Sequence, residues 1–383
     1  MATPALLIST VPRWIGTARI PERLAKAGFS VSLLTPKNTL AEASRFVGEV
    51  RHLPDAATTL QWLNAFTAAV DALAPRLVIA CDDTAQRLLQ TLVLTQPPGM
   101  HPTVHLKLAS LIHESIGDTE HYRTSIDKTL LAPAAQALGI RVPPFVAVTG
   151  PVEAEAFAAA HNFDVVLKRS FGAAGDRVAI VATREAFVEA YGRLSAKADL
   201  DLEGAGMRLL VQAHVRGRIR HHTIAAMRGK LLAGVSREKL VAHPEPMGPA
   251  TVTRYLRVPE MREAAEKLVK AFGMSGLFAI EFVADEKTGE NYLLEINRRV
   301  TPGTHAAALV GIDLAAAFYA GFHGAPVTTR TELDAGDEGR TFAHFPQEWL
   351  RDPGSRYLRD YPVDAPWDDL ELFAAMLALR DRD

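Results

Sequence analysis

The chain has 383 residues, of which 48% are hydrophobic and 22% are charged, and its formal net charge is -2. This length allows two or three domains with their own cores. The near-neutral charge gives no sign of a general affinity for nucleic acid or for anionic membranes. A single cysteine, Cys81, excludes an intramolecular disulfide framework and fits a reducing compartment.

The N-terminal segment MATPALLISTVPRW lacks a basic region, and its apolar run is too short for a secretion signal, so it predicts a first strand. The longest apolar segment, HAAALVGIDLAAAFYAGF, is interrupted by Gly311 and Asp313. This interruption favours a buried helix over a membrane span. We therefore expect a cytoplasmic protein without a membrane partner.

Strand and helix signals alternate over the first part of the chain, from the strand ALLIST and the helix TARIPERLAKAGF to the strand RLVIACDD and the helix TAQRLLQTL. This alternation predicts a parallel sheet covered on both faces, with ligands at the carboxyl ends of its strands. A G-x-G-x-x-G fingerprint is absent after the first strand, which disfavours a nicotinamide site. Asp82 and Asp83 follow a strand and fit helix caps as well as site residues.

In the middle of the chain, the alternation of strands and helices gives way to predicted hairpins. A helix is predicted for SIDKTLLAPAAQALG, followed by two strands around a loop of small residues in FDVVLKRSFGAAGDRVAIVAT. RHHTIAAMRGKLLAGVSREKL predicts a hairpin that turns at Arg228–Lys230, and PEMREAAEKLVKAFG predicts an amphipathic helix. From about Thr331 the chain becomes polar, then aromatic and acidic, which indicates a helical tail.

The segment FAIEFVADEKTGENYLLEINRR predicts an antiparallel hairpin around the turn EKTGE. Side chains alternate along a strand, so Glu295, Asn297 and Arg299 share one face. If Asp285 pairs with Asn291, the same register places Glu281 directly opposite Glu295.

Two facing carboxylates need a counter-charge or a shared proton. Mg²⁺ supplies a counter-charge, since it prefers oxygen ligands and commonly binds a few protein oxygens together with substrate phosphates. The alternative is that Arg298 and Arg299 merely neutralise the glutamates at a sheet surface.

Two lysines precede this hairpin. Lys168 ends the strand DVVLK, just before a loop of small residues whose backbone N–H groups can approach phosphate oxygens. A plain hairpin turn with a surface lysine explains the same pattern. Lys128, in SIDKTLLA, reads by itself as a solvated charge on a helix.

Taken in order, these elements resemble the ATP-grasp superfamily, which includes biotin carboxylase, carbamoyl-phosphate synthetase and D-alanine–D-alanine ligase. The similarity runs from about Ser125 to Gly324, and LEINRR with an upstream AIEF is its specific part. It implies a mixed α/β fold with five successive parts. These are a parallel-sheet domain that precedes the grasp (1–112), linking helices (113–141), a lid subdomain (142–213), a core subdomain (214–330) and a short helical C-terminal tail (331–383).

The resemblance also implies a binding site for Mg²⁺-ATP, or Mn²⁺-ATP. The phosphates would contact Lys128 and Lys168, and the loop from Ser170 through Gly172 to Gly175 would close over them. The adenine base would lie beside Gln212 and the backbone near Val215. The metal, one ion or two, would bind Glu281, Glu295 and Asn297.

Arg299 would act with Lys168 at the transferred phosphate, and Lys239 is a further candidate for a phosphate or substrate contact. The position at which several relatives bind the ribose with an acid is Ile219 here, which leaves His221 or His222 as candidates. The weaker candidates for substrate recognition are Arg13, Arg19, Thr304 and His305. His305 equally fits a cap of the following helix.

By this resemblance we expect a ligase that activates a small-molecule carboxylate as an acyl phosphate for attack by an amine, and many relatives are homodimers. Three alternatives stay open. The first is an ATP-grasp carboxylase or small-molecule kinase. The second is a nucleotide-binding regulatory protein without turnover. The third is a sheet-based interaction protein in which the glutamates are structural.

Overall fold

The computed structural model describes residues 2–11, 15–170, 177–196, 208–245 and 248–380. These residues form three sheets, one parallel and two antiparallel. The predicted mixed α/β fold is therefore confirmed.

The N-terminal sheet is parallel, with the strand order β3-β2-β1-β4. Its strands are β1 (Thr3–Ile8), β2 (Phe29–Thr35), β3 (Val47–His52) and β4 (Leu77–Ala80). Side chains of β1 alternate between two apolar clusters, with Leu6 in one and Leu7 in the other, so both faces of the sheet are covered. The covering helices are α1 (Ile15–Ala18), α2 (Ile20–Ala27), α3 (Thr59–Leu73), α4 (Asp83–Leu94) and α5 (Pro102–Ile116).

Two short helices connect this sheet to the next one. The sequence predicts a single helix, but the structure has α6 (Tyr122–Ile126) and α7 (Lys128–Ala137) instead. The break lies at Asp127, whose carboxylate accepts a hydrogen bond from the backbone N–H of Thr129 at 2.8 Å. Aspartate stabilises a helix start in this way, so a new helix begins at Lys128.

The second sheet is antiparallel, with the order β5-β8-β6-β7, and we call it the lid sheet. Its strands are β5 (Phe145–Val148), β6 (Val165–Arg169), β7 (Val178–Val181) and β8 (Leu209–Ala213). Helices α8 (Pro151–Ala160) and α9 (Arg184–Ser195) cover one face, where the apolar residues of alternate positions pack. The other face carries Lys168 and Gln212.

The third sheet, which we call the core sheet, has the order β13-β12-β9-β10-β11-β14. Its strands are β9 (Gly217–Met227), β10 (Lys230–Ala242), β11 (Ala250–Leu256), β12 (Gly276–Asp285), β13 (Asn291–Asn297) and β14 (Thr341–Ala343), and α10 (Pro259–Ala271) covers one face. The predicted hairpin turn is confirmed. Lys230 pairs with Met227, and Arg228 and Gly229 both have positive φ, which a tight two-residue turn requires.

The C-terminal part contains α11 (Pro302–Ala306), α12 (Leu314–Phe322), α13 (Gln347–Arg351), α14 (Arg356–Asp360) and α15 (Leu370–Leu377). The tail has the predicted helices and adds β14, an unpredicted strand that pairs with β11. The long apolar segment forms α12, whose Phe318 lies in the same apolar cluster as Leu24 and Phe29 of the N-terminal domain.

Within the described residues, no single helix has the length and apolar composition to cross a membrane. One pair, Pro302–Val310 with Leu314–Phe322, passes that test only when its two members, bent by 104°, are combined.

Candidate active site

Two glutamates face each other at one edge of the core sheet. Glu281 on β12 pairs directly with Glu295 on β13. The sequence predicts this pairing from a register in which Asp285 pairs with Asn291, and that part is wrong, because Asn291 pairs with Ala284. A β-bulge between Glu281 and Phe282 shifts the register by one residue and so brings the two acids together. Bulges of this kind often lie next to active sites and re-aim a side chain.

Each glutamate has a basic partner. Nζ of Lys128, at the start of α7, lies 3.0 Å from Oε2 of Glu295, and Nε2 of His221 lies 3.0 Å from Oε2 of Glu281. Lys128 is 7% exposed, so it is not the solvated helix charge that its sequence context suggests. These partners remove the repulsion that two facing carboxylates would otherwise experience.

Burial and neighbouring charges shift the pKa values of this cluster. Burial lowers the pKa of Lys168 to about 8, although the negative charges of Glu295 and Glu281 act in the opposite direction. Burial raises the pKa of Glu281, but the hydrogen bond with His221 and the charges of neighbouring basic groups outweigh it and lower that pKa to about 2. Glu281 is therefore ionised at neutral pH, and Lys168 is protonated in a large fraction of molecules.

Arg299 lies at the end of the same row of side chains. Its Nη2 donates a hydrogen bond to Oδ1 of Asn297 at 3.2 Å, and its Nε lies 3.0 Å from Oδ1 of Asp83 at the start of α4. Arg298 points elsewhere, and its guanidinium donates to the backbone oxygen of Ile116. The two arginines, which follow the end of β13, thus have different partners, and Arg298 does not neutralise the glutamates.

Lys168 and Gln212 lie on the free face of the lid sheet. Gln212 pairs with Val166, and Lys168 pairs with Leu210, so all four side chains point away from α8 and α9. Gln212 is 2% exposed, and its Oε1 has no hydrogen-bond partner among the described residues. This oxygen is therefore an available acceptor for a donor such as an amino group.

Two further predicted ATP contacts border this face. The backbone oxygen of Ser170 accepts a hydrogen bond from the N–H of Lys128 at 3.0 Å, which joins β6 to α7. Val215 lies in the short connection from β8 to β9 and is partly buried. Gly172, Gly175 and Arg13, which the sequence also nominates, lie outside the described residues.

The donor set at the glutamate pair suits a hard cation. No group of three histidine, cysteine, aspartate or glutamate residues able to hold a metal occurs in the described part of the chain. Glu281, Glu295 and the amide of Asn297 supply only oxygen ligands on one face, with Nδ2 of Asn297 3.4 Å from Oε1 of Glu295. Mg²⁺ commonly binds one or two carboxylates and completes its shell with phosphates and water, so these residues fit it.

Other nominated residues have internal partners. Nζ of Lys239 donates to the backbone oxygen of Gly248 at 2.9 Å, and its burial lowers its pKa. His222 points to the opposite face of the core sheet, where its Nδ1 lies 2.8 Å from Oγ of Ser236. His222 is therefore not positioned to contact a ribose, because it faces away from the glutamate pair. His222 is buried, and this burial lowers its pKa to about 3.

Arg19 and the two candidate substrate residues of α11, Thr304 and His305, are buried. Arg19 donates to the backbone oxygen of Asp364, and Nε2 of His305 lies 2.9 Å from Oδ2 of the same residue. Oγ1 of Thr304 accepts a hydrogen bond from the N–H of Thr301, the residue that precedes α11. His305 lies within α11 and does not cap the next helix. The contacts with Asp364 join α11 and the N-terminal domain to the C-terminal tail. A role of these residues in substrate recognition stays a prediction.

Solved structures with this arrangement of sheets provide the comparison. The biotin carboxylase domain of 2-oxoglutarate carboxylase from Hydrogenobacter thermophilus superposes with a TM-score of 0.65 at 17% identity, covering 88% of this chain and 72% of that one. N5-carboxyaminoimidazole synthetase from Staphylococcus aureus gives 0.61 at 12% identity, covering 87% and 80%. Residues 208–339 match a sequence family described as "ATP-grasp in the biosynthetic pathway with Ter operon".

The chain has the ATP-grasp fold. The resemblance found in the sequence is thereby confirmed. The biotin carboxylase of Campylobacter jejuni, solved with a nucleotide, superposes at a TM-score of 0.64 and 18% identity, covering 84% of this chain and 71% of that one. No curated protein matches the sequence. At these identities the comparison establishes the ATP-grasp fold, and the chemistry has to be argued from the site itself.

The sequence does not predict the contacts that two residues of the site, Asp83 and His221, form in the structure. Asp83 was considered a helix cap, but the cap is Asp82, which accepts from the N–H of Ala85 at 2.9 Å, and Asp83 contacts Arg299. His221 was considered only for the ribose, but it contacts Glu281. The pairing of β12 with β9 would have indicated the contact of His221 with Glu281. The contact of Asp83 with Arg299 joins distant parts of the chain and leaves no local signal in the sequence.

Proposed function

We propose that the chain is a Mg²⁺-ATP-dependent ligase that activates a small-molecule carboxylate as an acyl phosphate for attack by an amine. One observation carries the proposal. Lys128 contacts Glu295 of the facing pair, and Lys168 lies within reach of the charges of both glutamates. Arg299, from a third part of the chain, contacts the neighbouring Asn297. Such a convergence of both charges suits a metal-bound triphosphate better than a structural surface.

The electrostatics explain how these residues would act. A carboxylate that attacks a triphosphate approaches another anion, so charge repulsion and alignment dominate the barrier. Mg²⁺ held by the two glutamates and Asn297 would supply Lewis-acid stabilisation of the phosphate oxygens. Lys128 and Lys168 would hold the phosphates, and Arg299 would stabilise the charge that moves onto the leaving group.

The balance of the reaction follows from these roles. A carboxylate oxygen forms a bond to the terminal phosphorus while the bond to ADP breaks. The amine nitrogen then bonds to the acyl carbon, phosphate leaves, and the nitrogen loses a proton. Side chains that exclude water protect the acyl phosphate from hydrolysis before the amine arrives.

Nucleotide recognition by the lid sheet forms part of the same proposal. Oε1 of Gln212 would accept a hydrogen bond from the adenine amino group, and backbone groups near Val215 would bind the edge of the base. Lys239, which faces the glutamate pair, would be a further phosphate contact. A cytoplasmic location and a homodimer remain predictions.

The experiment that tests the proposal measures ADP and phosphate release with Mg²⁺-ATP across amino acids, small peptides and polyamines. The ligase proposal expects ADP release that depends on both a carboxylate and an amine. Release that depends on bicarbonate alone would favour a carboxylase, and a phosphorylated product that keeps its phosphate would favour a kinase. Nucleotide binding without release under every condition would favour a regulatory protein.

A further inference from the structure

A row of directly paired residues crosses five strands of the core sheet. Glu295 pairs with Glu281, Glu281 with His221, His221 with Arg237, and Arg237 with Tyr255. Directly opposite residues point to the same face. Neighbouring strands lie about 4.8 Å apart, so the backbone of Arg237 is about 10 Å from that of Glu281. Arg237 therefore lies on the face of the metal-binding acids.

Arg237 is a buried cation, and two of its guanidinium nitrogens lack a hydrogen-bond partner among the described residues. It is 3% exposed, and its Nε and Nη1 have no hydrogen-bond partner in the part of the chain that the structure describes. Burial lowers the pKa of the guanidinium, but an arginine keeps its charge in proteins. A buried charge without compensation is strongly destabilising. This position therefore calls for an anion.

Asp364 is the acid whose negative charge acts on Arg237, but it does not supply a hydrogen-bonded anion for the guanidinium. Asp364 acts on Arg237 only through its charge and forms no ion pair with it among the described contacts. Its carboxylate already accepts hydrogen bonds from Phe345 N–H and lies 2.9 Å from Nε2 of His305 and 3.0 Å from Nδ1 of His344. Three groups of the tail and of α11 thus already bind the carboxylate of Asp364, and no hydrogen bond from it to Arg237 occurs among the described contacts.

A second unpartnered donor stands beside Arg237. Thr223 is fully buried, and its Oγ1 also has no hydrogen-bond partner within the described residues. A Cβ placed on Gly303 would lie 2.5 Å from Nη2 of Arg237 and 2.6 Å from Oγ1 of Thr223. The guanidinium and the hydroxyl therefore converge where the backbone of α11 passes, and any side chain at Gly303 would displace them.

We propose that Arg237 and Thr223 form a carboxylate-binding subsite for a non-reacting carboxylate of the amine-bearing acceptor. The identity of the ligand as an acceptor rests on the proposed ligase function, whereas carboxylate binding does not. The subsite offers one positive charge and one hydroxyl donor, which matches the single negative charge of a carboxylate. The acceptor is then an amino acid or another amine that carries an acid group, and not a simple polyamine.

Binding of small carboxylates to the nucleotide-free protein tests the subsite directly. We expect acetate, glycine and glutamate to raise the Tm of the wild-type protein, and ethylamine at equal ionic strength to leave it unchanged. Arg237→Gln should weaken carboxylate binding about tenfold to a hundredfold, because it removes a charged hydrogen-bond donor. Arg254→Gln is the matched control, since Arg254 lies on the neighbouring strand and binds Glu238 on the other face.

Equal carboxylate shifts in Arg237→Gln and wild type would overturn the proposal, as would the absence of any shift in the wild type. A shift with bicarbonate alone would overturn the assignment to an acceptor. Arg237→Met guards against a purely structural role. Without ligand, this variant should be at least as stable as the wild type, because an apolar side chain replaces a buried charge whose Nε and Nη1 lack hydrogen-bond partners among the described residues. A marked loss of Tm would count against the subsite.

The outcome also separates this proposal from the ligase proposal. If carboxylates bind through Arg237 but no acceptor supports ADP release, the subsite stands and the ligase function falls. If ADP release occurs equally with an amino acid and with its decarboxylated amine, in the wild type and in Arg237→Gln, the ligase function stands and the subsite falls. Gly303→Ala should weaken glycine binding as Arg237→Gln does, since its methyl group would collide with the guanidinium of Arg237 and the hydroxyl of Thr223 and displace them.

Discussion

Oδ1 of Asp83 lies 3.0 Å from Nε of Arg299 and so joins the N-terminal sheet to the core sheet at the candidate site. Asp83 is the first residue of α4, directly after the carboxyl end of β4. Arg299 reaches it from the segment that follows β13, and its Nη2 also donates to Asn297. The arginine is therefore oriented from two sides, by an acid of one domain and an amide of the other.

We predict that Asp83→Asn lowers kcat about tenfold with little change in the KM for ATP, since Arg299 loses a charged partner that orients it. Steady-state kinetics of ADP release measure both constants. The side chain of Asp83 is 40% exposed, so the folded state should lose little stability. Asp71→Asn is the control, because Asp71 forms an exposed ion pair with Lys107 away from the site. A similar loss of kcat in both variants would contradict the prediction.

We predict that Glu295→Gln reduces Mg²⁺-dependent ATP turnover about a hundredfold or more, because a carboxylate ligand becomes a neutral amide. The free energy of unfolding, measured with urea, should change by no more than about 1 kcal/mol. The variant loses the ion pair with Lys128 but also the repulsion between the facing carboxylates of Glu281 and Glu295. Glu290→Gln is a control just before the same strand, where the side chain contacts Arg141. Full turnover in Glu295→Gln would remove the basis of the metal site.

The pKa of Lys168 gives nucleotide affinity a definite pH dependence. Burial lowers this pKa to about 8, so the ammonium group is protonated below that pH and loses its charge above it. We predict that affinity for ATP is constant below pH 8 and falls about tenfold per pH unit above it. Lys168→Arg should remove this decline, because its guanidinium stays charged. Calorimetric titrations with ATP between about pH 7 and 9.5 measure the affinity of both proteins. Coincident pH profiles for Lys168→Arg and the wild type would refute the prediction.

Buried histidines predict acid sensitivity of the fold. Burial lowers the pKa of His222 to about 3 and that of His305 to about 4, from an ordinary value of 6.5. Between the lowered pKa values and 6.5, these histidines bind more protons in the unfolded chain than in the folded protein. The free energy of unfolding therefore falls as pH decreases from about 6.5 towards 4. Each histidine should contribute about 1.4 kcal/mol per pH unit in that window.

His222→Gln should reduce that slope by the contribution of one group, as measured by urea denaturation at several pH values. Replacing the exposed His113 with glutamine should leave the slope unchanged. Stability that is constant between pH 4 and 6.5 in the wild type would show that these histidines accept protons in the folded state, contrary to the burial argument.

The sequence was most informative where the chemistry is local. The alternation of Glu295 and Asn297 predicts that they share one face, and the structure agrees because side-chain alternation is a property of the strand itself. Arg299 follows the end of β13, and its contact with Asn297 keeps it beside them. The pairing of Glu281 with Glu295 was predicted through a register that the structure shifts by one residue, and the bulge that compensates left no sign in the pattern.

Contacts between distant segments could not be predicted in this way. Lys128 read as a solvated charge, since nothing near it in sequence indicates that α7 begins beside Glu295. The contact of Asp83 with Arg299 joins residues that only the docking of two domains brings together. The strand β14 lies in a polar tail and exists because β11 offers it a free edge.

The sequence by itself determined most of the strands and helices, the face on which Glu295 and Asn297 lie, and the ATP-grasp resemblance. These features follow from backbone periodicity and residue type, which act over a few positions. Only the tertiary structure decided which basic group contacts each glutamate, which histidine faces α10, and that Arg237 is buried with two guanidinium nitrogens unpaired among the described residues. These properties depend on desolvation and on charges that reach the site from other segments, and no local pattern encodes them.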